Sequence, residues 1–246
     1  MSTARRPYGP WQGLWLVLGY IIAQASGYIL LSAYTRGLAP ALRALLHEHR
    51  LVHSELSVQQ QAWLALFGFL ASATWSIWYV RRYAGSVLRR GDSAGIGWRA
   101  ARPQGYLAAA GVALLAVAFA AVVVALLPPD PDKLTGPTVR MLDTPGLPQQ
   151  VITALALVGA PLMEEFVFRG AFFAALAGRW GATNAGIVTT LLFMALHVQD
   201  KIHWWPGFAV VGFLGALLVL LRLRYRSIWP GMLAHFLYNA SFFFLP

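Results

Sequence analysis

Apolar residues in this chain fall into seven runs, at 11–34, 62–80, 105–127, 150–176, 184–198, 208–221 and 228–244. Short stretches between them gather Arg, Pro, Gly and Asp. A helix needs about 20 apolar residues to cross the hydrocarbon of a bilayer, and in lipid a lone segment satisfies its backbone only as a helix. The pattern therefore predicts an all-α fold, a polytopic transmembrane helical bundle of about seven spans, with eight possible. The fifth and sixth runs are short and extend into their flanks. Between the first two runs, Leu38, Leu42, Leu45 and Leu46 recur at helical spacing opposite arginines, which predicts an interfacial amphipathic helix over 38–52. The Pro-, Gly- and Asp-rich stretch 128–148 reads as a loop.

Composition fits this picture. Hydrophobic residues make up 58% of the 246, and charged residues only 11%, against about 25% in soluble domains. The chain has no cysteine, which excludes disulfides, thiolate metal sites and a Cys nucleophile. A net charge of +10 raises the question of nucleic acid, but the arginines are not gathered into a soluble basic domain. Distributed among hydrophobic runs, they read instead as cytoplasmic loops. With the N-terminus inside, twelve basic residues fall on inner segments, Arg81, Arg82, Arg222 and Arg224 among them, against six on outer ones. That orientation predicts a multi-pass protein of the cell membrane with a cytoplasmic N-terminus. Seventeen of the 19 basic residues are Arg, with Ala abundant, which fits a GC-rich bacterial genome and hence an inner membrane. Arg5 and Arg6 precede an apolar run containing Ala23-Gln24-Ala25, as in a signal peptide, but the run continues and further spans follow, so a retained first helix is expected.

Ionisable residues divide the chain. The first three runs contain no Asp, Glu, Lys, Arg or His; the fourth holds Glu164, Glu165 and Arg169, the fifth ends with His197, and the seventh holds His235 and Asn239. Ionisable groups at bilayer depth are costly and mark function by default. We expect a single membrane domain over 1–246, with scaffold helices in 1–149 and catalytic helices in 150–246.

Spacing separates the roles. Glu165 and Arg169 are four apart and form an ion pair on one helix face. Glu164 is rotated about 100° from Glu165 and is the carboxylate left for chemistry. Phe193 shares a face with His197, and His235 with Asn239. Pro161 has no N–H to give the Leu157 carbonyl and should kink the fourth helix. Pro230 fits the first turn of the seventh.

These residues resemble a known family. Glu164-Glu165-Phe-Val-Phe-Arg169 is similar to the EExxxR motif of the CPBP (Abi) intramembrane proteases, which include the type II CAAX prenyl endopeptidases. Phe193-Met-Ala-Leu-His197 resembles the family's FxxxH, and His235-Phe-Leu-Tyr-Asn239 its HxxxN. The resemblance covers about the last hundred residues. It implies that Glu164 activates water as general base with help from His197, while His235 and Asn239 stabilise the oxyanion. Substrates would be membrane-anchored or lipidated peptides or proteins, with no cofactor. A zinc version, with Glu164, His197 and His235 as ligands, stays open. So do a proton-coupled transporter and a non-catalytic immunity or assembly factor.

Overall fold

The computed structural model describes residues 8–33, 57–88, 90–92, 94–130 and 137–244. Helices dominate, and no strand occurs among the described residues. In chain order they are α1 (Pro10–Ala33), α2 (Val58–Tyr83), α3 (Gly85–Leu88), α4 (Pro103–Leu126) and α5 (Pro137–Leu142). The next stretch runs through α6 (Leu147–Ala154), a π-helical turn π1 (Leu155–Gly159), α7 (Ala160–Glu164), a second π segment π2 (Glu165–Phe172) and α8 (Phe173–Leu196). The short α9 (Val198–Lys201), then α10 (Pro206–Tyr225) and α11 (Trp229–Phe244), complete the described elements. The expected amphipathic segment 38–52 lies outside the described residues.

Local chemistry explains the ends. Ser57 and Gln60 cap α2 reciprocally, each side chain bonding the other's backbone N–H, and Arg81 and Arg82 sit in its last turn, where cations suit the helix dipole. Pro103 and Pro206 begin α4 and α10, where a missing N–H is harmless. From Leu147 to Leu196 the chain is helical over 50 residues, broken at Gly181, whose φ of 79° and ψ of 162° are non-helical. Glycine takes that conformation without steric penalty. The break divides the stretch where the fourth and fifth apolar runs divide.

Four helical stretches among the described residues are long and apolar enough to cross a membrane: Val58–Tyr83, Pro103–Leu126, Leu147–Leu196 and Pro206–Tyr225. The protein is a multi-pass helical membrane protein. Small residues let the helices approach. A Cβ on Gly68 of α2 would lie 2.3 Å from the Gln24 carbonyl oxygen of α1. The buried stripe of α4 is Ala109, Ala113, Ala116 and Ala120, packed with α10 and α11; close backbone contact of this kind is a main source of helix association in lipid. Its opposite face, with Leu107, Leu114 and Leu126, is exposed.

Two expectations need correction. The stretch 128–148 is not all loop: α5 lies within it, and Met141 is buried against Ala62 and Val151. Apolar anchoring there outweighs the turn-rich composition. Arg222, counted above as a loop charge, lies inside α10 and is 1% exposed.

Candidate active site

The two glutamates sit where the helical register changes. In π1 the Ala160 N–H bonds the Leu155 carbonyl, five residues back. That takes away the donor an α-helix would give the Ala156 carbonyl, and the next donor along is Pro161, which has none. The freed carbonyl is thus Ala156, not Leu157 as the sequence suggests, because the π turn shifts the register by one. Asn239 of α11 fills the gap, its Nδ2 donating to the Ala156 oxygen at 2.8 Å. Such single-turn π segments recur at functional sites, and here one precedes Glu164 and another begins at Glu165.

Glu165 and Arg169 pair as expected. Arg169 Nη1 lies 3.0 Å from Glu165 Oε1, with both side chains fully buried. Arg169 also donates from Nη2 to the Gly215 carbonyl at 3.4 Å and lies over the Phe193 ring, 4.2 Å from its centroid. Burying a charge pair is costly, so these further contacts matter. Two glycines make the room. A Cβ on Gly215 would come within 3.2 Å of Arg169 Nη2, and one on Gly231 within 2.7 Å of Glu165 Oε2. Motif reading missed both glycines; the signal for Gly231 is its place one turn before His235 on the same face.

His235 is set between the two carboxylates. Its Nδ1 is 3.6 Å from Glu165 Oε1 and its Nε2 is 3.9 Å from Glu164 Oε2. Both separations are longer than hydrogen bonds. His235 and Glu165 are buried, whereas the Glu164 side chain keeps 19% of its surface. The rotation read from the sequence separates the two glutamates in this way.

His197 stands at the C-cap of α8. Its Nδ1 lies 2.8 Å from the Phe193 carbonyl oxygen. A carbonyl only accepts, so Nδ1 carries the proton, and the Nε2 of a neutral ring is left with a free lone pair. Phe193 packs on His197 at 4.6 Å between ring centroids and meets His235 edge-on at 6.1 Å. It is fully buried and spaces Arg169 and both histidines.

A catalytic zinc would need three converging protein ligands. Among the described residues no three His, Cys, Asp or Glu side chains come together in that way. Glu164 has His235 beside it, while His197 packs against Phe193 and bonds its carbonyl. This arrangement lends no support to Glu164, His197 and His235 as a zinc set.

Fold and site define a helical membrane protein with a Glu–His centre built between its C-terminal helices. Residues 147–241 match the family model described as Type II CAAX prenyl endopeptidase Rce1-like. The match over that stretch supports a CPBP/CAAX protease-like family, whose members are membrane-resident proteases. All three motifs lie within it. No curated protein and no solved structure matches the chain.

Proposed function

We propose that this protein is an intramembrane endopeptidase that hydrolyses a peptide bond in a prenylated or otherwise membrane-anchored substrate, using water activated by Glu164. The observation that carries the reading is the chain of contacts Arg169–Glu165–His235–Glu164. It holds one carboxylate buried and neutralised and leaves the other open beside an imidazole.

Glu164 takes a proton from water as the water oxygen attacks the scissile carbonyl carbon. His197, with its Nε2 lone pair free, accepts a hydrogen bond from the same water and orients it. Negative charge then develops on the carbonyl oxygen. His235 and Asn239 stabilise it, Asn239 with the amide hydrogen not committed to Ala156. When the tetrahedral intermediate collapses, the C–N bond breaks and the proton held by Glu164 passes to the leaving amine. A base within reach of water and donors aimed at the developing charge are the ordinary requirements of such hydrolysis.

The surrounding architecture follows the same reading. Seven spans, with the N-terminus cytoplasmic, place the basic loops inside, with 1–149 as scaffold and 150–246 as the catalytic part. The compartment is the bacterial inner membrane. Cysteines introduced at Gly91 and Asp143 should then label from opposite faces, Gly91 from the cytoplasm; labelling from one face overturns this topology.

The functional test is cleavage of an internally quenched farnesylated peptide ending in a CAAX motif. Mass spectrometry should show one internal cut by wild type and none by Glu164→Gln. A cut that persists in the variant removes Glu164 from the base role. Failure of wild type to cut this peptide, or a farnesylated membrane-anchored protein, overturns the substrate class.

A further inference from the structure

Arg222 has no place in the three motifs, yet it is among the largest fully buried side chains of the protein. Its contacts run to backbone and a ring rather than to a carboxylate. Nε donates to the Arg169 carbonyl at 3.0 Å, and Nη2 donates to the Gly95 carbonyl. The guanidinium carbon lies 5.3 Å from the centroid of the Phe173 ring, and Nη1 has no hydrogen-bond partner among the described residues.

The carbonyl it holds is a particular one. In an α-helix the Phe173 N–H would bond the Arg169 carbonyl; here it bonds those of Phe168, five residues back, and Gly170. The π register of Glu165–Phe172 therefore ends by withdrawing a donor from Arg169, and Arg222 supplies the replacement. At Glu165–Phe172 this repeats what Asn239 does for Ala156 at Leu155–Gly159. Buried carbonyls need a partner, so whichever register leaves its freed carbonyl capped is the favoured one.

The chain below Glu165–Phe172 is shaped around the same guanidinium. Gly97 has φ of +76°, and a Cβ there would lie 2.9 Å from Arg222 Cζ. Ile96 is fully buried, and its Cγ2 lies 3.2 Å from the place a Cβ on Gly170 would take. The Ile228 N–H donates to the Gly97 carbonyl at 3.0 Å, and Ser227 Oγ donates to the Arg99 carbonyl at 2.6 Å.

We propose that Arg222 is a positioning residue of the site: by capping the Arg169 carbonyl from α10 it keeps Glu165–Phe172 in π register, and with it the phase of Glu165 and Arg169 against His235. Its effect on turnover rests on the hydrolytic reading above. Its effect on the helix does not.

The test uses the full chain in detergent, comparing Arg222→Gln and Arg222→Lys with Arg224→Gln, an exposed neighbour on the same helix. Hydrogen exchange is followed by mass spectrometry in peptides covering 165–176 and 155–160. Arg222→Gln should exchange at least tenfold faster in 165–176 and within twofold of wild type in 155–160. Arg222→Lys, with one cationic donor, should recover part of the protection, and Arg224→Gln should match wild type. On the farnesylated peptide, kcat should fall at least tenfold for Arg222→Gln with KM within twofold. If Arg222→Gln does not fold, Arg222→Lys carries the comparison, with the same signs and smaller size. Wild-type exchange in 165–176 for both Arg222 variants overturns the proposal, and so does an unchanged kcat accompanied by lower thermal stability. If wild type does not cleave the peptide, the proposed substrate class fails and the exchange result alone decides the role of Arg222.

Discussion

Helices α2 and α4 differ from the helices around the site in how much of themselves they hide. Of the most apolar window of each, 28% and 22% are buried within the protein, against 50% for both Leu147–Leu196 and Pro206–Tyr225. The first pair gives most of its surface to lipid, where any large apolar side chain serves equally well. The second pair encloses Glu165, Arg169 and Arg222, each of which needs a particular partner at a particular place. Lipid-facing surface is constrained in kind, and site-facing surface in detail. Substitutions in the two regions should therefore differ by orders of magnitude.

The largest contrast lies between the adjacent glutamates. Glu164→Gln keeps the shape but cannot take a proton, so turnover should fall by the ~10²–10⁴ typical of lost general-base catalysis, with thermal stability nearly unchanged. Glu165→Gln should instead strand the buried Arg169 and cost about 3–5 kcal/mol of stability. A stability loss from Glu164→Gln as large as that from Glu165→Gln would erase the distinction. Next comes Asn239→Ala, where steady-state turnover should drop about 10²–10³ as an oxyanion donor is lost. If His235 acts on the same charge, the double variant should cost less than the product of the singles. Gly231→Ala should follow, its methyl pressing on Glu165 Oε2, with about 1–3 kcal/mol of destabilisation in a thermal melt. Smallest of all, Leu114→Ala on the exposed face of α4 should change stability by no more than about 0.5 kcal/mol and leave turnover alone. A large effect there would mean that α4 is not scaffold.

The same contrast governs what could be read from the sequence. The runs 11–34 and 105–127 became Pro10–Ala33 and Pro103–Leu126 almost residue for residue, because hydropathy alone decides where a lipid-facing helix can lie. The short run 208–221 grew into Pro206–Tyr225; its last turn carries Arg222 and Arg224, and charge hides the end of a helix from a hydropathy reading. The pairing of Glu165 with Arg169 followed from spacing, since four residues share a face in either helical register. Register itself was not legible. Apolar periodicity does not reveal that Ala160 bonds Leu155 or that Phe173 bonds Phe168, so the freed carbonyl was placed one residue too far along. The contacts of Gly215 and Gly231 were equally hidden, because a missing side chain leaves no mark on a hydropathy pattern.

In the proposed mechanism the protein's own side chains, Glu164 above all, activate the water without a metal. Elemental analysis of detergent-purified wild type, read beside its activity, tests this most directly. A glutamate-activated water predicts no stoichiometric metal, full turnover after chelation and dialysis, and no gain on adding zinc. About one zinc per chain, lost with activity on chelation and regained with it, would rule out the glutamate mechanism, most plainly if His197→Ala and His235→Ala lost the metal while Asn239→Ala kept it.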